Sequence, residues 1–232
     1  MKKNGSHVGF VLSFVVFVTF LIFIYSVLIP TTKVKDKPLI LEKIAENLLK
    51  NISSEIITLT ISVSPEFEFN SECVSISDSE LISRLKKGFV VKSNEKILDY
   101  QSSTVFKIKN ENKRFLKIFS SDSFEDKTKF LGSCESIDDN FEINSVKIEN
   151  YSFEKKINLL FEFYERDYEN LKTSLEIPED AEFEFDFYDD NGNVIATKNT
   201  TALTNIYSKK ISFQYINDSA SLVFGEINLR IW

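Results

Sequence analysis

The sequence predicts a mainly β protein: an N-terminal transmembrane helix, then a short amphipathic helix, then one antiparallel β-rich, sandwich-like domain with minor helices. Three observations carry that expectation. Residues 8–29 contain no charged side chain, the apolar residues beyond residue 55 recur at a period of two, and an Asn191-Gly192 dipeptide sits between two alternating runs. The boundaries that follow are a short basic tail or leader over 1–7, a membrane helix over 8–30, an amphipathic connector over 31–54 and a β-rich extracytoplasmic domain over 55–232.

The first element is the anchor. At about 1.5 Å per residue, the uncharged run covers the roughly 30 Å of a bilayer's hydrocarbon core. Its polar members, Ser13, Thr19 and Ser26, can bond back to their own helix. Lys2 and Lys3 precede the run and Pro30 is expected to end it. A cleaved secretory signal is the rival reading, but its apolar centre is usually about 7–15 residues and ends in small residues. Bulky Tyr25, Leu28 and Ile29 stand at that end here.

Pro38 is read as the start of a separate short helix with Leu41, Ile44, Leu48 and Ile52 on one stripe. Its other face, with Glu42, Lys43, Glu46 and Lys50, is mixed in charge, which favours packing on the β domain over lying on a membrane. Alternation then sets in at Ile57, Leu59, Ile61 and Val63, and resumes past Pro65 with Phe67 and Phe69, as one long strand bent at the proline. Further strands are expected at Phe106 and Ile108, at Leu116 and Ile118, and at Ile157, Leu159, Phe161 and Phe163. A brief helix with Asp167 as its N-cap carries Tyr168, Leu171 and Leu175 before Pro178 stops it. Phe183, Phe185 and Phe187 then alternate with acids and lead through Asn191-Gly192 to Val194 and Ala196. Ile211, Phe213 and Tyr215, and then Val223, Ile227, Leu229 and Ile231, make the last strands.

Composition narrows the function. A net charge of −7 and the lack of any Lys/Arg-rich stripe argue against a nucleic-acid partner. The one histidine, His7, lies in the N-terminal tail, so a His-based triad or zinc site cannot be assembled in the domain. The six glycines make neither a phosphate-cradling loop nor a GxSxG elbow. A carboxylate pair for glycoside hydrolysis could in principle form, but most acids fall on the polar side of alternating strands. The segment DFYDDNGN at 186–193 only partly fits a calcium loop, because Phe187 takes the first ligand position and Lys198 the twelfth. A hairpin turn is the simpler reading. No catalytic residue, cofactor or metal ligand is assigned.

Cys73 and Cys134 lack any CxxC or histidine neighbour and are read as a disulfide pair, the alternative being two buried thiols. NxS/T sequons at Asn51, Asn150, Asn199 and Asn217 are candidate glycosylation sites. Lys2 and Lys3 face Lys33, Lys35, Lys37 and Lys43 across the anchor, so the positive-inside count does not orient it. The disulfide and the sequons favour a domain outside the cytoplasm.

The N-terminal MKKNGSHVGFVLSFVVFVTF resembles archaeal type IV pilin-like proteins, with a short basic leader ending near Gly, a long hydrophobic helix and a β-rich head. The resemblance implies processing between Gly5 and Ser6, and a non-enzymatic cell-surface subunit. Its partners would be the lipid bilayer and, through the helix, copies of itself or other pilin-like subunits. The Glu that many pilins carry at the fifth mature position is Phe10 here, so no assembly role is carried over to that position. A monomeric anchored binding module for an envelope ligand is the other reading.

Overall fold

Within residues 53–63 burial alternates from Ile57 on, with Ile57, Leu59, Ile61 and Val63 turned to one side. This is β1 (Ser53–Val63), and it follows the first helix, α1 (Ser6–Ile52), without a loop. The computed structural model describes residues 6–196 and 206–232. After β1 come β2 (Val74–Ile76), α2 (Ser79–Arg84), β3 (Gly88–Ser93), β4 (Lys96–Leu98), β5 (Tyr100–Gln101), β6 (Phe106–Ile108), β7 (Phe115–Ser121), β8 (Glu135–Ser136) and β9 (Phe141–Phe153). The chain continues through α3 (Glu154–Arg166), α4 (Tyr168–Ser174), β10 (Phe183–Asp189), β11 (Val194–Ala196), β12 (Tyr207–Ile216) and β13 (Leu222–Ile231).

The protein is mainly β, with an N-terminal apolar helix and a sheet-rich domain. Nine strands form one sheet in the order β11-β10-β13-β12-β9-β1-β7-β3-β4, and four form a second in the order β5-β6-β2-β8. The expectation of purely antiparallel pairing needs correction at two places. β12 meets β9 in parallel at Tyr215↔Ser152 and Ile216↔Phe153, and β2 meets β8 in parallel at Val74↔Glu135. Long connections make both possible: α3, α4 and the β10–β11 hairpin lie between β9 and β12.

Cross-strand partners share a face, so the registers show what each side carries. On one face, the β10-β13-β12 half is covered by the end of α1 and by α3 and α4. Their shared core includes Ile44, Leu48, Ile52, Ile157, Leu160, Phe183, Phe185, Phe187, Ile227 and Leu229. The β1-β7-β3 half of that face is covered by the small sheet, through Leu59, Ile61, Val74, Ile76, Phe106, Ile108, Leu116 and Ile118. A third, smaller cluster joins Ile56, Val90, Phe124, Phe153 and Ile216. Ile56 and Phe153 are one residue out of step with the face of Ile57 and Ser152, so this cluster sits on the reverse side.

Two expected breaks are absent. α1 runs unbroken past Pro30 and Pro38 for 47 residues, so the two helices expected from the sequence are one element. Proline already holds a helical φ, and a helix running through it loses a donor at a cost of roughly 3 kcal/mol. Here the flanks offset that cost: the 9–26 stretch satisfies its backbone internally, and the 41–52 stretch buries Leu41, Ile44, Ala45, Leu48 and Ile52 at helical spacing. The helix ends where Ser53 Oγ donates to the Leu49 carbonyl at 2.7 Å.

Two expected strands are also absent. β1 stops at Val63, and Phe67 and Phe69 lie in a loop with their rings edge-to-face at 5.3 Å. Pro65 has no N–H for the ladder, and Arg114 captures the carbonyls of Ser64 and Phe67 while its guanidinium sits over the Phe69 ring at 5.2 Å. The stretch with Ile157, Leu159, Phe161 and Phe163 is helix α3. It buries Ile157, Leu160 and Tyr164 and leaves Leu159 exposed, so the period of 3.6 won over the period of two.

Asp167 occupies the N-cap position of α4, but its carboxylate accepts from Asn170 Nδ2 at 2.6 Å instead of from a helix N–H. In the β10–β11 hairpin, Gly192 alone takes the left-handed conformation, at φ +78°.

Candidate functional site

Residues 9–26 of α1 form a helix long and apolar enough to cross a membrane, and none of that stretch is buried by the rest of the protein. Phe10 is 74% exposed, whereas Ile44 on the same helix is fully buried. Thr19 and Ser26 direct their hydroxyls to carbonyls of the preceding turn, at 2.9 Å from Val16 O and 2.8 Å from Ile22 O. Such back-bonding lets a polar side chain sit in an apolar setting. Ser6 is the first residue of α1, and Gly5 lies outside the described residues.

The domain's reverse side, behind β10, β13 and β12, holds a hollow of about 650 Å³. It is lined by Tyr188, Asp189, Asp190, Gly192, Lys210, Ser212, Phe224, Gly225, Glu226 and Asn228. Strand parity explains the lining. Phe183, Phe185 and Phe187 point into the helix-covered core, so Glu184, Asp186 and Tyr188 project the other way. Lys210 on β12 and Glu226 on β13 project to the same side, and Lys210 Nζ donates to Glu226 Oε1 at 2.8 Å. That bond holds the Lys210 amine above its ordinary pKa. Gly225 has no side chain because a Cβ there would come within about 3.0 Å of the Tyr188 carbonyl and the Tyr215 ring.

Further along the same strands, on the same face, lies a largely buried charge cluster. Arg230 Nη2 stands 3.1 Å from Glu184 Oε1 and 2.7 Å from Asp186 Oδ2, and Nε donates to Glu184 Oε2 at 3.3 Å. Tyr188 donates its hydroxyl to Asp186 at 3.3 Å, and its pKa is raised by burial and then by the Asp186 charge. Glu184 and Asp186 lie on the side of the strand away from the Phe core, as alternation predicts, and both are nevertheless buried. The sequence signal was a Phe-Glu-Phe-Asp-Phe run facing the one arginine of the last strand, Arg230.

The DFYDDNGN segment is a turn in this structure. Asp189 Oδ1 accepts the backbone N–H of Asn191 at 3.0 Å and of Asn193 at 2.6 Å, and Oδ2 accepts Asn193 Nδ2 at 2.8 Å. Those bonds hold the Asp189 carboxyl below the usual range and occupy the oxygens a cation would need. Among the described residues no group of three His, Cys, Asp or Glu side chains is placed to hold a metal ion.

Cys73 and Cys134 form a disulfide with a Cα–Cα distance of 4.9 Å. It clasps the parallel β2–β8 pair, where Glu135 N–H donates to the Cys73 carbonyl at 3.0 Å. Of the sequon residues, Asn51 and Asn150 are exposed, and Asn217 accepts the N–H groups of Ser219 and Ser221 at 3.0 Å in a turn. Asn199 lies outside the described residues. The structure does not gather these residues into one site, and no known family, curated protein or solved structure matches this chain.

Proposed function

We propose that this protein is a non-enzymatic cell-envelope subunit, pilin-like in organisation, anchored by α1 with its β domain outside the cytoplasm. The observation that carries the reading is the division of labour within α1. Its first part is apolar on all sides and unburied, while its last part is built into the core of the β domain. A helix that is hydrophobic all round needs lipid or other helices around it, and here the domain supplies neither. A rigid helix fused to a β head is the arrangement that the pilin-like resemblance implies.

The disulfide and the exposed sequons Asn51 and Asn150 support an oxidising, extracytoplasmic setting for the domain. In this reading the leader is removed between Gly5 and Ser6, and helices of neighbouring copies pack together. The deciding measurement is intact mass with N-terminal sequencing of protein taken from its native membrane. A chain that starts at Ser6 supports the pilin-like reading, and one that keeps Met1 overturns it.

The hollow beside Tyr188 and Lys210 favours a second reading, a permanently anchored binding module for a small polar envelope ligand. An unprocessed N-terminus together with saturable ligand binding lost in Lys210→Ala would select it.

A further inference from the structure

β9 is a long strand whose outer edge, like the facing edge of β12, is nearly unpaired among the described residues. Its partner on that side, β12, meets it only at Ser152 and Phe153, and the two strands separate from there. The sheet's two end strands, β11 and β4, are three residues each, a length that blunts an edge, whereas β9 runs for 13. Along this open edge Val146 is 56% exposed and Ile148 is 62% exposed, on the sheet face between the small sheet and the helices. Such an edge presents free backbone donors and acceptors beside uncovered apolar side chains.

The sequence of the strand specifies its partner. Ile61 pairs with Ile143 and Thr60 with Ser145, so Asn144 is a bulge and restores parity between the two halves of β9. Phe141, Ile143, Val146 and Ile148 therefore share one face, while Glu142, Ser145 and Lys147 share the other. An antiparallel copy with Ser145 opposite Ser145 sets Glu142 against Lys147, Ile143 against Val146 and Phe141 against Ile148. Each pair occurs twice about the two-fold axis. Sliding the axis to Val146 sets Glu142 against Glu149, and sliding it to Lys147 sets lysine against lysine. Centring it on Ile148 sets Val146 against Asn150 and runs into the end that β12 already occupies. Of the registers centred on residues 145–148, charge and apolar matching select the one at Ser145, and it is a register with itself.

We propose that two copies of this chain associate edge to edge through residues 141–148 of β9, extending the nine-stranded sheet across a two-fold axis at Ser145. The two-fold axis stands normal to the sheet and α1 packs along the sheet face, so the helices of the two copies leave the joined sheet in opposite directions, and the pairing joins copies from facing membranes. This association is independent of the α1 helix and of leader processing.

Two measurements on the full chain in detergent micelles, where the two anchors are free to point in opposite directions, test it. Ser145→Cys, oxidised with copper phenanthroline, is expected to give a reducible dimer at least tenfold more abundant than the surface control Asp122→Cys. Adding Lys147→Glu lowers the yield severalfold, and further adding Glu142→Lys restores it. Equal cross-linking of Ser145→Cys and Asp122→Cys, or indifference to Lys147→Glu, overturns the proposal. In the unmodified chain, carbodiimide treatment of mixed light- and heavy-isotope protein is expected to join Glu142 of one copy to Lys147 of another. Links confined to single-isotope peptides overturn it without any variant.

Discussion

Arg230 Nη2 approaches Asp186 Oδ2 to 2.7 Å across neighbouring strands, with the two side chains 22% and 2% exposed. Glu184 shares the same guanidinium, so one partly buried cation serves two buried carboxylates. Removing the cation strands both acids away from water, a loss of about 3–5 kcal/mol when a buried pair is broken from one side. Arg230→Met is expected to lower the urea midpoint accordingly, and Glu184→Gln with Asp186→Asn in the same chain should recover most of the loss. Equal stability of Arg230→Met and the parent would mean that water reaches the cluster.

The carboxylates illustrate what the sequence disclosed and what it hid. Alternation gave β1 and β10, and the apolar stripe from Leu41 to Ile52 gave a helix, because burial on one face writes itself into local spacing. Burial of Glu184 and Asp186 depended on Arg230, 46 residues from Glu184, and no local pattern carries such a pairing. β9 escaped notice for a local reason: the bulge at Asn144 separates Ile143 from Val146 by three positions, which spoils the period of two. The α3 sequence fits both periods, and packing of Ile157, Leu160 and Tyr164 against the sheet decided between them. The hollow has no sequence signature at all, since Tyr188, Lys210 and Glu226 meet only through strand order.

Continuity of α1 places the true domain boundary inside the helix. Ile44, Leu48 and Ile52 are fully buried against α3 and the sheet, so each truncation to alanine should cost about 2–5 kcal/mol. A chain beginning at residue 55 loses all of this packing and is expected to fail to fold. A chain beginning at residue 39 keeps it and should show a cooperative transition by fluorescence of the one tryptophan, Trp232. Cooperative folding of the chain from 55 would place the core elsewhere.

Burial pushes the phenols of Tyr100 and Tyr164 up to about 12 from an ordinary value of 10.0. Both groups stay protonated in the folded state while the unfolded chain ionises, so their contribution is complete below pH 10 and is lost as pH rises toward 12. Stability should fall by about 1.4 kcal/mol per pH unit for each tyrosine in that window. Tyrosinate absorbance near 295 nm should therefore rise together with unfolding for these two groups. Tyr164→Phe, which loses the bond to the Phe183 carbonyl at 3.1 Å, should flatten the alkaline slope.

The Cys73–Cys134 bond closes a loop of sequence separation 61 at the start of a short parallel strand pair. β2 and β8 pair over only two registered positions, Val74↔Glu135 and Ser75↔Ser136, with Ile137 N–H reaching the Ser75 carbonyl at 3.0 Å. Chain entropy assigns such a loop about 4 kcal/mol. The double substitution Cys73→Ser, Cys134→Ser is thus expected to lower global stability by that order. It should also raise hydrogen exchange first at the amides of Glu135 and Ile137, because those bonds span the severed clasp. Exchange that rises uniformly across the sheet would mean that the small sheet opens only when the whole domain does, and would make β1, β7 and β2 a single cooperative unit joined through the core of Leu59, Ile61, Val74 and Ile118.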